Sequence, residues 1–206
     1  RRDRAEEALK QALVLDPDSL KALNNLGICE EKNGRPREAE ARYREALALD
    51  GSYARAHYNL ANLLARAGKH GEALAHYRAA VAADPDFAEA WNNLGNLLVG
   101  EGAAREAEAA YRRALETAAA PPGARVNLAN LRAAAGDYAG AEALYLRALE
   151  KNPADVEARC NYAYTLEQAD RSAEALRQYQ AVLEIDPERK GAREGLERVA
   201  AGARER

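Results

Sequence analysis

The chain has 206 residues, 48% of them hydrophobic, rich in Ala, Leu, Glu and Arg and carrying one Phe, one Trp and no Met. Strong helix formers with so few strand-favouring residues predict an all-helical protein. The net charge of −3, from 30 basic and 33 acidic residues, argues against a nucleic-acid backbone binder with its basic stripe.

No apolar run approaches the ~18–20 residues that span a bilayer, and nothing resembles a signal peptide. The chain starts at Arg1 and contains no methionine, so it reads as a fragment or processed product of undetermined compartment. Cys29 and Cys160 make neither a disulfide framework nor a metal site, and His57, His70 and His76 have no ligand spacing with them. No cofactor or metal is expected.

In chain order, residues 1–19 carry Ala5, Leu9 and Ala12, the pattern of a helix whose packing partner is missing. Pro17 stops it, because proline disfavours helix in the residue before it. This end is expected to be a cut through a longer array, a surface that another chain covers, or a tolerated frayed helix. From residue 20 onward one interval governs the sequence. Gly34, Gly68, Gly102 and Gly136 stand 34 residues apart, and so do Tyr43, Tyr77, Tyr111, Tyr145 and Tyr179. Ala39, Ala73, Ala107, Ala141 and Ala175 keep the same period, as do Asn25, Asn59, Asn93, Asn127 and Asn161. Four residue types on one period define internal repeats, running 20–53, 54–87, 88–121, 122–155 and 156–189.

Within each repeat a first helix is expected to end at the glycine, which readily takes the left-handed conformation after a helix. Asp170 replaces it in the fifth copy, a tolerable non-glycine there. The second helix starts near Glu38, Glu72, Glu106 or Glu174, acids well placed for a helix N-terminus. At the third junction Ala118-Ala119-Ala120 can prolong the helix before Pro121-Pro122-Gly123 restarts the pattern. Residues 190–206 predict a capping helix with Leu196 and Val199 on one side and a polar terminus at Arg204-Glu205-Arg206.

The period and its residues resemble the tetratricopeptide repeat. The third copy matches that pattern best, with Trp91, Leu94, Gly95, Ala107, Tyr111 and Ala114 at the large and small packing positions, and Pro85, Pro153 and Pro187 close their repeats. The resemblance implies an all-α, right-handed α-solenoid of antiparallel helix pairs, with first helices lining a concave groove. It implies protein–protein interaction, and no catalytic constellation is present, so no enzyme activity is expected.

On that resemblance, the groove holds Asn25, Asn59, Asn93, Asn127 and Asn161 at the sixth position and Asn62, Asn96 and Asn130 at the ninth. Ile28 and Tyr164 replace the latter in the end repeats. A primary amide offers two donors and an acceptor, so such a column can pair with the backbone of an extended peptide. The asparagines resemble the ladder in the repeat arm of O-linked N-acetylglucosamine transferases, and the alternative is that they bond only to neighbouring helices. Around them, Lys21, Lys32, Arg55 and Arg66 oppose Glu31 in repeats one and two, while Glu89, Glu157 and Glu167 stand without a base in repeats three to five. The groove is therefore expected to be basic toward its N-terminal end and acidic toward the other, with Tyr58, Asn92, Val126 and Cys160 as mixed lining. The alternative reading of these charges is a solvated scatter. Chaperone-tail binding is set aside, because the sixth position is never arginine and the fifth is never lysine. The expected ligand is a protein or peptide of unknown identity. The chain is read as an adaptor, as the substrate-recruiting arm of a larger enzyme, or as a scaffold that self-associates through its N-terminal end.

Overall fold

The computed structural model describes residues 2–202, so Arg1 and the terminal Arg204-Glu205-Arg206 assigned to the capping helix lie outside the described residues. Among the described residues there are twelve α-helices and no strand. Two compact units meet at Ala120 and Pro121 in the sequence.

The first unit contains α1 (Arg2–Leu15), α2 (Leu20–Lys32), α3 (Pro36–Leu49), α4 (Ala54–Arg66), α5 (His70–Ala83), α6 (Ala88–Gly100) and α7 (Ala104–Glu116). The second contains α8 (Pro122–Ala134), α9 (Tyr138–Lys151), α10 (Val156–Gln168), α11 (Ser172–Ile185) and α12 (Lys190–Gly202). In both, α2–α3, α4–α5, α6–α7, α8–α9 and α10–α11 pack as sequential pairs.

The turns inside these pairs share one construction. Gly34, Gly68, Gly102 and Gly136 have φ of 74°, 75°, 75° and 81°, and Asp170 has 59°. The following N–H reaches back to the fifth carbonyl before it: Arg35 to Glu30, Lys69 to Leu64, Ala103 to Leu98, Asp137 to Arg132 and Arg171 to Leu166. This left-handed close satisfies carbonyls that a helix end leaves unpaired. Second helices begin two residues before their expected acids, as with Pro36 ahead of Glu38.

Packing is built from alanine against tyrosine. Ala39, Ala73, Ala107, Ala141 and Ala175 are fully buried, and the repeating tyrosines are at most 3% exposed. Small residues let helix axes approach, and the rings fill the space between them. A Cβ on Gly27 would stand 2.6 Å from Cε1 of Tyr43, so the absent side chain is what admits the ring. The third junction departs from the expected helix extension. The α7 helix ends at Glu116, Thr117 turns extended at ψ 152°, and its hydroxyl bonds the Ala114 carbonyl at 2.9 Å.

The end helices are tied down by carboxylates. Glu6 of α1 is 8% exposed and accepts from Asn33 at 2.9 Å, from Lys10 at 2.8 Å and from Arg35. In α12, Arg198 grips Glu167 through two bonds of 2.9 Å.

Candidate peptide-binding clefts

The asparagines of the first helices divide by register into two kinds. Ninth-position amides serve the second helix of their own pair. Tyr77 donates to Asn62 Oδ1 at 2.5 Å, Tyr111 to Asn96 at 2.8 Å and Tyr145 to Asn130 at 2.5 Å. A buried phenol needs an acceptor, and these carbonyls supply it. Where the ninth position is Ile28 or Tyr164, the phenol turns to the twelfth. Tyr43 donates to Glu31 at 3.5 Å and Tyr179 to Glu167 at 3.0 Å. Burial drives the Tyr77 and Tyr111 hydroxyls up to about 12.

Sixth-position amides reach across to the preceding pair. Asn59 donates to Asn24 Oδ1 at 2.8 Å, and Asn93 donates to Asn62 at 3.0 Å and to the Tyr58 hydroxyl at 3.2 Å. Much of the amide chemistry is therefore spent inside the protein.

What remains gathers in two clefts, one in each unit. The cleft of the first unit encloses about 440 Å³ and is lined by Asn24, Asn25, Ile28, Arg55, Tyr58, Asn59 and Glu89, with Asp84, Asp86 and Phe87 from the turn before α6. Phe87 packs against Tyr58 with ring centroids 4.7 Å apart. Asn24 is 3% exposed and sits at its base. The expected basic character does not hold at this cleft. Arg55 shares the lining with three carboxylates, because the turn adds Asp84 and Asp86 to Glu89, and Arg66 is engaged by Glu31 at 2.6 Å.

The cleft of the second unit encloses about 450 Å³ and is lined by Asn130, Ala133, Ala134, Tyr138, Tyr145, Asn161, Tyr164, Thr165 and Gln168. It carries no charged side chain. Glu167 is not a bare acid, since Arg198 of the capping helix holds its carboxyl below the usual range.

Among the expected site residues, the first cleft thus unites Asn25, Arg55, Tyr58, Asn59 and Glu89, and the second unites Asn130, Asn161 and Tyr164. Lys21, Asn62, Arg66, Asn93, Asn96, Asn127 and Glu157 line neither. Of the mixed fifth-position lining, Val126 is buried at 6% exposure and belongs to the core of the second unit. Sequence reasoning missed Asn24, whose register alone pointed to it, the turn-borne Asp84, Asp86 and Phe87, and Tyr138 at the start of α9.

Two further side-chain arrangements escaped the sequence. At the fourth position of three repeats, a donor closes onto the carbonyl six residues back. His57 Nε2 meets Gly51 at 3.0 Å, Trp91 Nε1 donates to Pro85 at 2.9 Å, and Arg159 donates to Pro153 at 2.7 Å. Beside it, His57 Nδ1 lies 2.9 Å from His76 Nδ1, where the fifth repeat has Arg159 bonded to Gln178 at 2.9 Å. Cys29 and Cys160 are free and half-buried.

Helix pairs closed by left-handed turns, with small-against-aromatic packing and amide-bearing first helices, define an all-α helical-repeat protein. Tetratricopeptide repeat models match residues 30–86, 58–124 and 126–190, and a second such model matches 8–41. The chain belongs to the tetratricopeptide repeat family, whose members generally mediate protein–protein interactions. Among curated proteins none matches it. Solved structures share its fold. YrrB, described as having an unusual peptide-binding site, is 23% identical with a TM-score of 0.76, over 91% of this chain and 96% of that one. PilF of Pseudomonas aeruginosa is 22% identical with a TM-score of 0.75, over 98% and 86%. A tetratricopeptide repeat protein of Parabacteroides merdae is 21% identical with a TM-score of 0.68, over 95% and 84%. No helix among the described residues is long and apolar enough to cross a membrane.

Proposed function

We propose that the protein binds extended peptide segments of partner proteins along its first-helix faces, through the cleft of each unit. The observation that carries this reading is that uncommitted first-helix side chains stand in open concavities of peptide-scale volume, Asn25 and Arg55 in one unit and Asn161 in the other. Amides recognise backbone N–H and C=O groups whatever the side chains, which suits a module that accepts many segments. A fold shared with YrrB agrees with this and does not itself assign a ligand.

The test is a pull-down with the intact chain against a variant carrying Asn25→Ala, Arg55→Ala and Asn161→Ala. These sites are preferable to Asn59, whose loss would strand the buried Asn24 carbonyl. The variant should keep its helical circular dichroism and lose its bound partners. Equal capture by both proteins would place the ligand elsewhere.

A second reading, end-on assembly through α1, has one observation in its favour. Val14 and Leu15 there are 81% and 87% exposed. Light scattering over a concentration series tests it, and a strictly monomeric particle removes it.

A further inference from the structure

The two clefts differ in a way that specifies a ligand for one of them. This rests on the peptide-binding reading above and concerns the second unit only. In a chain with 31% charged residues, its cleft presents none. The acids next in sequence to its lining are engaged, Glu167 by Arg198 at 2.9 Å and Asp137 by Arg132 at 3.6 Å. A charged ligand side chain placed there would lose water without gaining a counter-charge.

The shape is equally particular. Two small residues, Ala133 and Ala134, share the lining with two tyrosines, Tyr138 at the first residue of α9 and Tyr164 on α10. Tyr164 is 53% exposed although it lines the cleft, a large amphipathic ring held toward solvent. Half-exposed aromatics of this kind are the usual anchors of recognition.

The hydrogen-bonding groups are uncharged and of both kinds, donors and acceptors. Asn130 has its carbonyl engaged by the Tyr145 hydroxyl at 2.5 Å, so the group it turns outward is its N–H₂. The Thr165 hydroxyl donates to the Asn161 backbone carbonyl at 2.9 Å, which leaves the Asn161 and Gln168 side-chain amides to offer donors and acceptors. An uncharged segment that offers a ring to the two tyrosines and carbonyls to the Asn130 N–H₂ and the other amides matches this lining. Proline in an extended segment is that ligand. It leaves carbonyls unpaired in the polyproline conformation and presents a compact, uncharged ring to aromatic walls.

We propose that the cleft of the second unit takes a proline-bearing, uncharged, extended segment, with the proline ring seated between Tyr138 and Tyr164 over Ala133 and Ala134. The partner is thus a protein exposing a proline-containing stretch free of charge.

The experiment is fluorescence anisotropy with the full chain and labelled ten-residue peptides. Their host is Ser, Asn and Gly, and a central pair of guest positions is Pro, Leu, Gly, Lys or Asp. Proline guests should bind at least about tenfold tighter than Lys, Asp or Gly guests. Tyr164→Ala and, separately, Ala134→Glu should abolish that preference while circular dichroism stays unchanged. Leucine guests equal to proline, charged guests equal to proline, or a preference that survives both substitutions would each overturn the inference and leave peptide binding standing. Absence of binding by every peptide, together with unchanged partner capture by the Asn25, Arg55 and Asn161 variant, would remove both.

Discussion

A β-carbon on Gly95 would stand 2.5 Å from Cε1 of Tyr111, closer than real side chains approach one another. The ring is 2% exposed and its hydroxyl is anchored on Asn96, so it has no room to yield. Gly95→Ala should therefore destabilise the first unit by about 1–3 kcal/mol, the cost of overpacking. Tyr111→Ala should cost ~3–5 kcal/mol through the cavity it leaves. Gly71→Ala, with nothing within 4 Å, serves as the control and should be neutral or mildly stabilising. Urea unfolding midpoints measure all three.

Glu30 occupies the register that Leu64, Leu98 and Leu166 hold in other repeats, and it is 3% exposed. Its Oε1 lies 3.8 Å from Arg42, and Oε2 has no partner. Burial pushes its carboxyl above the usual range against the pull of Arg42 and Arg35. A raised carboxyl favours the folded state only while protonated, so that contribution fades as pH rises through the folded value. Glu30→Leu should stabilise the protein by about 1–3 kcal/mol at neutral pH. The gain should shrink when unfolding is repeated near about pH 4. Arg42 retains Glu45 at 2.7 Å, so the change strands no charge.

The His57–His76 pair fixes its own tautomers. The Gly51 carbonyl can only accept, so His57 donates from Nε2 and receives the His76 Nδ1 proton at 2.9 Å. Burial holds His76 below its ordinary value, with His57 and Arg44 adding to the effect and Glu72 opposing it. The unfolded chain thus binds protons more readily. Stability is full above about pH 6.5 and falls as pH drops through that value toward the folded one. Melting temperatures between about pH 8 and pH 5 should show this decline. His57→Arg with His76→Gln copies the Arg159–Gln178 pair and should flatten it.

The terminal helices should loosen first in acid. Lys10 and Arg35 hold the Glu6 carboxyl down to about 2, and Arg198 holds Glu167 below its ordinary value. Depressed carboxyls lend stability above the unfolded value, lost as pH falls through the folded one. Amide hydrogen exchange should therefore rise in α1 and α12 before the inner helices below about pH 4. Arg198→Ala should give the α12 effect already at neutral pH.

The period, the turn residues and the Gly95–Tyr111 type of packing were legible because each depends on one helix pair repeating itself. The fate of the asparagines was only half legible. Asn62, Asn96 and Asn130 look identical in sequence to ligand-facing amides, and only the approach of a tyrosine fifteen residues later spends their carbonyls. The clefts were harder still. Asp84, Asp86, Phe87 and Tyr138 belong to turns or helix starts, where no helical period foretells direction. Glu30 and Asn24 hide for a third reason, since polarity in sequence argues for exposure and both are buried.

The bond from the fourth position to the carbonyl six residues earlier is made by an imidazole, an indole and a guanidinium in turn. One contact is thus inherited through three unrelated chemistries. In a comparison of repeats by residue identity that column would look unconstrained. What is retained there is an N–H at a given reach, so changes at His57, Trp91 and Arg159 should be tolerated according to donor geometry and not according to similarity of side chain.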